Sequence, residues 1–237
     1  MFRTNYFLVL IGLLGLCCTQ LHGQKLYVGV QAGIALGSPI GKVPEGATGA
    51  LGMGPAVGIL IGYQLTDRVG IQLAPGYAQK KARYRSPISG TTKVSREIFG
   101  IPFSIPFNLN YEGFADGSYD NQYIDIPLQI TYQANKKLQL YLGGQVSYLL
   151  KGIHIGEVDV TVAGILNVED EPFDQSEFIR DWDVGAMLGA NVAIWKKLSL
   201  QADIYVGLQS LFTDDFEELE GVYRNVYLKI QLGYRIF

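Results

Sequence analysis

His154 is the one histidine beyond the N-terminal segment, in a chain of 237 residues that holds two histidines and two cysteines. Nucleophilic or general-base work would need a nucleophile and an orienting acid at readable spacing, and neither accompanies it. Cys17 and Cys18 lie together near the start, so the sequence spells out no zinc ligand set. The other groups with chemistry are charges inside apolar stretches: Asp125, Asp183 and Asp203, with Lys80, Lys229 and Arg235. Such a set reads as a structural ion-pair network, since a buried charge left single costs roughly several kcal/mol. A proton or ion path is the functional alternative. Two acidic runs, Glu169–Asp174 and Asp214–Glu220, carry carboxylates that suit calcium but match no EF-hand spacing. We expect no catalytic, metal-binding or cofactor-binding residue.

One further motif suits recognition. In "FGIPFSIPFNLNYEGF", Phe99, Phe103, Phe107 and Tyr111 recur every fourth residue, while Pro102 and Pro106 block a regular helix. Two readings are open: a loop folded over its own aromatics, or an exposed apolar patch that docks a partner protein or glycan.

The elements that position these residues are strands. Apolar residues alternate through eight segments, among them Val57, Ile59, Ile61, Tyr63 and Ile124, Ile126, Leu128, Ile130. No charge or amide interrupts the apolar parity. The opposite parity holds glycine, glutamine, serine and the six charges named above. A soluble barrel keeps its apolar side inward; an unbroken apolar side opposite a small, polar one has to meet lipid and enclose a narrow lumen. Eight strands leave room for side chains but no solute channel. Three connections are tight, at Thr66–Arg68, Ala134–Lys137 and Lys196–Lys197. Four are long: Gly37–Pro55, Lys81–Tyr119, Lys151–Asp181 and Gln209–Arg224. That asymmetry matches short periplasmic turns and long extracellular loops. Tyr63, Tyr132 and Tyr234 fall near one end of the strands, Tyr77, Tyr148 and Trp182 near the other, as two interfacial girdles would require. Pro127, inside "QYIDIPLQITYQ", predicts a local bulge or a lost ladder bond.

The N-terminal stretch has the layout of a secretory signal: Arg3, an apolar run from Phe7 to Cys18, then small or polar residues. Domain boundaries are expected at 1–23 for the signal and 24–237 for the barrel. Loss of Arg3 with the signal takes the formal charge from −3 to −4, with no basic patch for nucleic acid.

"YIDIPLQITYQANKKLQLYLGGQVSYLL" and "DWDVGAMLGANVAIWKKLSLQADIYVGLQSL" resemble strands of PorT-family outer-membrane barrels, and "IQLAPGYAQKKARY" resembles that family's third strand, with Ala74 and Pro75 where a glutamate is usual. The resemblance implies an outer-membrane barrel of about eight strands and, for the founding member, a role in secretion and gliding. It also implies that terminal Phe237 suits the barrel-assembly machinery, although parity puts Phe237 on the face opposite Tyr234 and Ile236.

The expected protein is an all-β, eight-stranded antiparallel up-and-down transmembrane β-barrel of a Gram-negative outer membrane. It is read as a monomer in contact with lipid and lipopolysaccharide, not an enzyme, without cofactor, presenting loops for envelope assembly, secretion or surface binding. A secreted soluble barrel for a small apolar ligand and a membrane-embedded hydrolase are the rivals.

Overall fold

A computed structural model describes residues 26–41, 44–94, 107–213 and 223–236. Eleven strand segments form one sheet: β1 (Leu26–Ile40), β2 (Thr48–Gln64), β3 (Val69–Leu73), β4 (Gly76–Val94), β5 (Phe107–Gln133), β6 (Leu138–Lys151), β7 (His154–Val162), β8 (Leu166–Asp174), β9 (Trp182–Ala193), β10 (Leu198–Gly207) and β11 (Arg224–Arg235). The ring closes where β1 pairs with β11, from Gly29 opposite Arg235 to Ile40 opposite Arg224. Around it run β1, β2, the β3–β4 pair, β5, β6, β9, β10 and β11, eight staves in all. The alternating apolar residues face outward: Ile59, Leu128, Leu142, Leu188, Ile204 and Leu232 are all exposed. Gln72, Gln129, Gln145, Gln201 and Gln231 are buried inside.

Part of the tyrosine and glycine content has a common cause. Inward tyrosines cannot stand upright in so narrow a lumen, so they lie across the facing strand, and the residue beneath must lack a side chain. Tyr27 is opposite Gly62, Tyr227 opposite Gly37 and Tyr141 opposite Gly189. A Cβ at any of these glycines would overlap the ring above it. Gly62→Ala is expected to cost about 1–3 kcal/mol through overpacking. In a double-mutant cycle, Gly62→Ala combined with Tyr27→Ala should cost clearly less than the two single changes together. Strict additivity in urea unfolding would refute the pairing.

Pro127 causes no bulge: β5 keeps one register past it, against Gln145 of β6 on one side and from Leu128–Leu73 to Asp125–Gly76 on the other. Instead a ladder bond is lost. Ala74 N donates to Pro127 O at 3.2 Å, and Pro127 has no N–H to return. The stave breaks there, between β3 and β4, at a second proline, Pro75, whose carbonyl still accepts from Ile59 N at 2.9 Å.

Two of the long connections are largely strand. β4 and β5 stay in register up to Val94 opposite Phe107, and β7 and β8 form a hairpin whose first strand pairs with β5. Phe107 and Tyr111 therefore belong to β5 and do not form a loop motif. Phe99, Phe103, Phe237, the signal segment and the acidic run 214–220 lie outside the described residues.

Above the rim the polarity of the wall reverses without a change of parity. Outward positions become charged, with Lys81 paired to Asp120 at 3.3 Å and Arg85 to Asp116 at 3.1 Å. Inward positions become aromatic or small, as at Tyr84, Ala115, Tyr119 and His154. The reversal marks where lipid ends and water begins. The four strands β4, β5, β7 and β8 thus stand above the barrel as a blade.

Candidate functional site

Inside the barrel, β5 and β11 bring the charges together. Asp125 lies 3.5 Å from Lys80 Nζ and 3.3 Å from Lys229 Nζ, and Lys229 is 3.8 Å from Asp203. The ladder of β10 and β11 sets Asp203 directly opposite Lys229. Ser147 Oγ donates to Asp125 at 2.7 Å, and Lys229 donates to Gln145 at 3.2 Å. Lys80 is enclosed by rings: its Nζ sits 4.2 Å from the centroid of Tyr123 and 4.9 Å from that of Tyr205. Such contacts favour a desolvated cation. Lys80, Asp125, Asp203 and Lys229 are all buried.

Two members of the expected set stand apart. Asp183 is buried but takes its hydrogen bond from Asn225 Nδ2, at 2.7 Å, and is in no ion pair among the described residues. Arg235 is exposed at the short-turn end, with its guanidinium 4.5 Å from the Tyr27 ring. It shares the parity of Lys229 but lies beyond the buried layer, so parity alone misplaces it.

A second cluster packs at the mouth on the side of the long connections, and sequence reading missed it. His154, at the start of β7, is fully buried and stacks on Tyr119 of β5 at 4.3 Å. Phe173 of β8 meets it edge-on at 5.6 Å, and Phe212 lies at 5.4 Å. Tyr84 Oη and His154 Nε2 share a hydrogen bond of 2.8 Å, while Ser176 Oγ accepts from the His154 amide at 2.9 Å. Ile179, Leu211, Phe212 and Tyr223 join the same core. A bridge between Ile179 and Phe212 and the 2.9 Å bond from Arg180 N to Leu211 O tie the connections before β9 and after β10 together. Burial holds the imidazole down at a pKa of about 4, against a smaller opposing pull from Asp174. The histidine is therefore neutral at pH 7 and acts as a packing residue. Among the described residues, no three histidine, aspartate or glutamate side chains converge as metal ligands.

On the lipid side, Tyr148 and Trp182 are register partners with rings 4.7 Å apart, both exposed at the upper edge of the apolar band. Tyr63, Tyr132 and Tyr234 are exposed at the lower edge.

A closed ring of eight staves, apolar outside and polar inside, defines a transmembrane β-barrel of the outer membrane. Residues 22–213 match the outer membrane protein beta-barrel domain family, to which the chain belongs. The protein resides in the outer membrane of a Gram-negative bacterium. The chain is similar to the attachment invasion locus protein Ail of Yersinia pestis (12% identity, TM-score 0.42, covering 90% of this chain and 100% of that one). It is also similar to OprG of Pseudomonas aeruginosa (12%, 0.39, 90% and 96%) and to outer membrane protein W of Escherichia coli (12%, 0.37, 90% and 100%). No curated protein matches it in sequence. A secreted soluble carrier would need the opposite arrangement of apolar and polar faces.

Proposed function

We propose that this protein is a sealed, non-enzymatic barrel that presents the blade formed by β4, β5, β7 and β8 to a protein or glycan partner at the cell surface. The observation that carries this reading is the reversal of polarity at the rim: the wall continues past the lipid with a charged outer face. Within the wider family, the strand motifs Tyr123–Leu150 and Asp181–Leu211 support a PorT-type role in secretion or envelope assembly. In this reading residues 1–23 are a cleaved leader, the mature domain 24–237 is inserted as a monomer by the barrel-assembly machinery, and lipopolysaccharide surrounds the upper band. The buried charges form a structural network, and His154, stacked among aromatic rings, takes no part in catalysis.

A photo-crosslinker at Glu112 or Asp159, on the outer face of the blade, should capture in intact cells a partner that one at lipid-facing Leu142 does not. Identical products from the two faces would refute the role of the blade. In planar bilayers the protein should show no steady, large conductance, and such a conductance would overturn the sealed lumen.

A further inference from the structure

The three short turns repeat one hydrogen-bond pattern. Leu65 N and Thr66 N both donate to Val69 O, each at 2.9 Å. Ala134 N and Asn135 N donate to Leu138 O at 2.9 and 3.3 Å, and Ile194 N and Trp195 N to Leu198 O at 2.9 and 3.1 Å. Side chains lock two of them: Thr66 Oγ1 accepts from Val69 N at 3.0 Å, and Asn135 Oδ1 from Lys137 N at 2.9 Å. The last two positions of each turn are Asp67-Arg68, Lys136-Lys137 and Lys196-Lys197. Arg235, at the fourth corner, adjoins the third turn through a 2.8 Å bond from its amide to Lys197 O. Among the described residues this end thus carries six cations against the single carboxylate of Asp67, and none of the six is in an ion pair.

The cations are fixed at one depth. Directly above them lie the lower aromatic row and Trp195, which is 74% exposed at the third turn. Tryptophan and tyrosine in that position mark the membrane–water interface. The headgroup layer on each side of the hydrocarbon core is about 5–8 Å thick, and a three-residue turn does not reach past it. Neighbouring turns are two strand spacings apart, about 10 Å, which is close to the screening length in physiological salt, so their potentials overlap. The outer face of the blade at the other end carries Lys81, Arg83 and Arg85 together with Glu112, Asp116, Asp120, Glu157 and Asp159, so cations do not outnumber carboxylates there as they do at the turns.

We propose that the periplasmic turns are a docking ring for the phosphates of acidic phospholipids in the inner leaflet of the outer membrane. The lysines are exposed at headgroup depth, within reach of lipid phosphates, and Lys197 Nζ also donates to Ile236 O at 2.8 Å. Trp195 stands inside the ring and supplies the probe. With Trp182→Phe, it is the only tryptophan left in the described structure. In nanodiscs, brominated phosphatidylglycerol should quench Trp195 about five-fold more than brominated phosphatidylcholine at the same mole fraction, given the usual strength of juxtamembrane lysines. The excess should fall with added salt. Replacing Lys136, Lys137, Lys196 and Lys197 by glutamine, which leaves Arg68 and Arg235, should remove most of the difference between the two quenchers, with heat-modifiable migration retained as the check on folding. Equal quenching in the parent protein overturns the proposal and leaves an acidic protein as the occupant of the ring. Preference undiminished by the four substitutions overturns it as well.

Discussion

Asp125→Ala is expected to lower barrel stability by about 3–5 kcal/mol, the usual cost of breaking a buried ion pair from one side. The carboxylate serves two cations at once, Lys80 at 3.5 Å and Lys229 at 3.3 Å. Lys229 keeps Asp203 at 3.8 Å and the Gln145 carbonyl, so part of its compensation survives. Lys80 keeps only the faces of its tyrosine cage, and most of the loss should arise there. Asp203→Ala should cost less, about 1–2 kcal/mol, because Lys229 then retains the closer carboxylate. Asp125→Leu made together with Lys80→Met and Lys229→Met should recover much of the stability, since a buried pair exchanged for apolar groups of similar volume is often neutral. Urea unfolding in detergent, with heat-modifiable migration to report closure, measures the series. An Asp125→Ala barrel within about 1 kcal/mol of the parent would mean that water already solvates the lumen charges.

The membrane-spanning part of this fold was legible because lipid tolerates no exceptions. A stave with one face in hydrocarbon cannot place a charge there, so Ile126, Leu128 and Ile130 on one parity, and Asp125 and Gln129 on the other, reveal strand, side and register together. That legibility ends at the rim. Beyond Lys81 the same two-residue period continues with polarity reversed, and Tyr84, Gly117 and Ala115 read as loop composition although they are inward strand residues. Tyr111 was hidden in the same way. Arg235 shows the limit of parity in the other direction: it gives the face but not the depth. The mouth cluster was beyond reach for a different reason. His154 meets Phe173 and Phe212 only because the β7–β8 hairpin brings Phe173 to it and Phe212, just after β10, is bridged to Ile179. No local pattern carries that contact.

Acidification is expected to loosen this mouth before it affects the barrel. The His154 imidazole has a pKa of about 4 in the folded protein against an ordinary value of 6.5, chiefly because burial among aromatic rings penalises its charged form. Its folded pKa is depressed, so the unfolded or locally opened state binds the proton more readily. The contribution to stability is complete above about pH 6.5 and is lost progressively as pH falls towards 4, at most about 3 kcal/mol for the whole shift. Every element packed on the ring bears on the sign. Tyr84 of β4 shares its hydrogen bond with the ring, and Tyr119 of β5 stays neutral through this range because burial and its tyrosine neighbours push its hydroxyl up. Asp174 of β8 is held below the usual carboxylate range by hydrogen bonds from Ser176, so it remains a weak counter-charge until the lower end of the window. Hydrogen exchange separates the local opening from global unfolding. Amides around His154, Ile179 and Leu211 should lose protection between pH 6.5 and 4.5, while those of Leu142 and Leu188 in the lipid band hold theirs. His154→Phe keeps the stack on Tyr119 but cannot take up a proton, so its mouth amides should be indifferent to pH over this interval. If the phenylalanine variant opens with the same pH dependence as the parent, the proton is taken up elsewhere and the histidine is only a spacer in the plug.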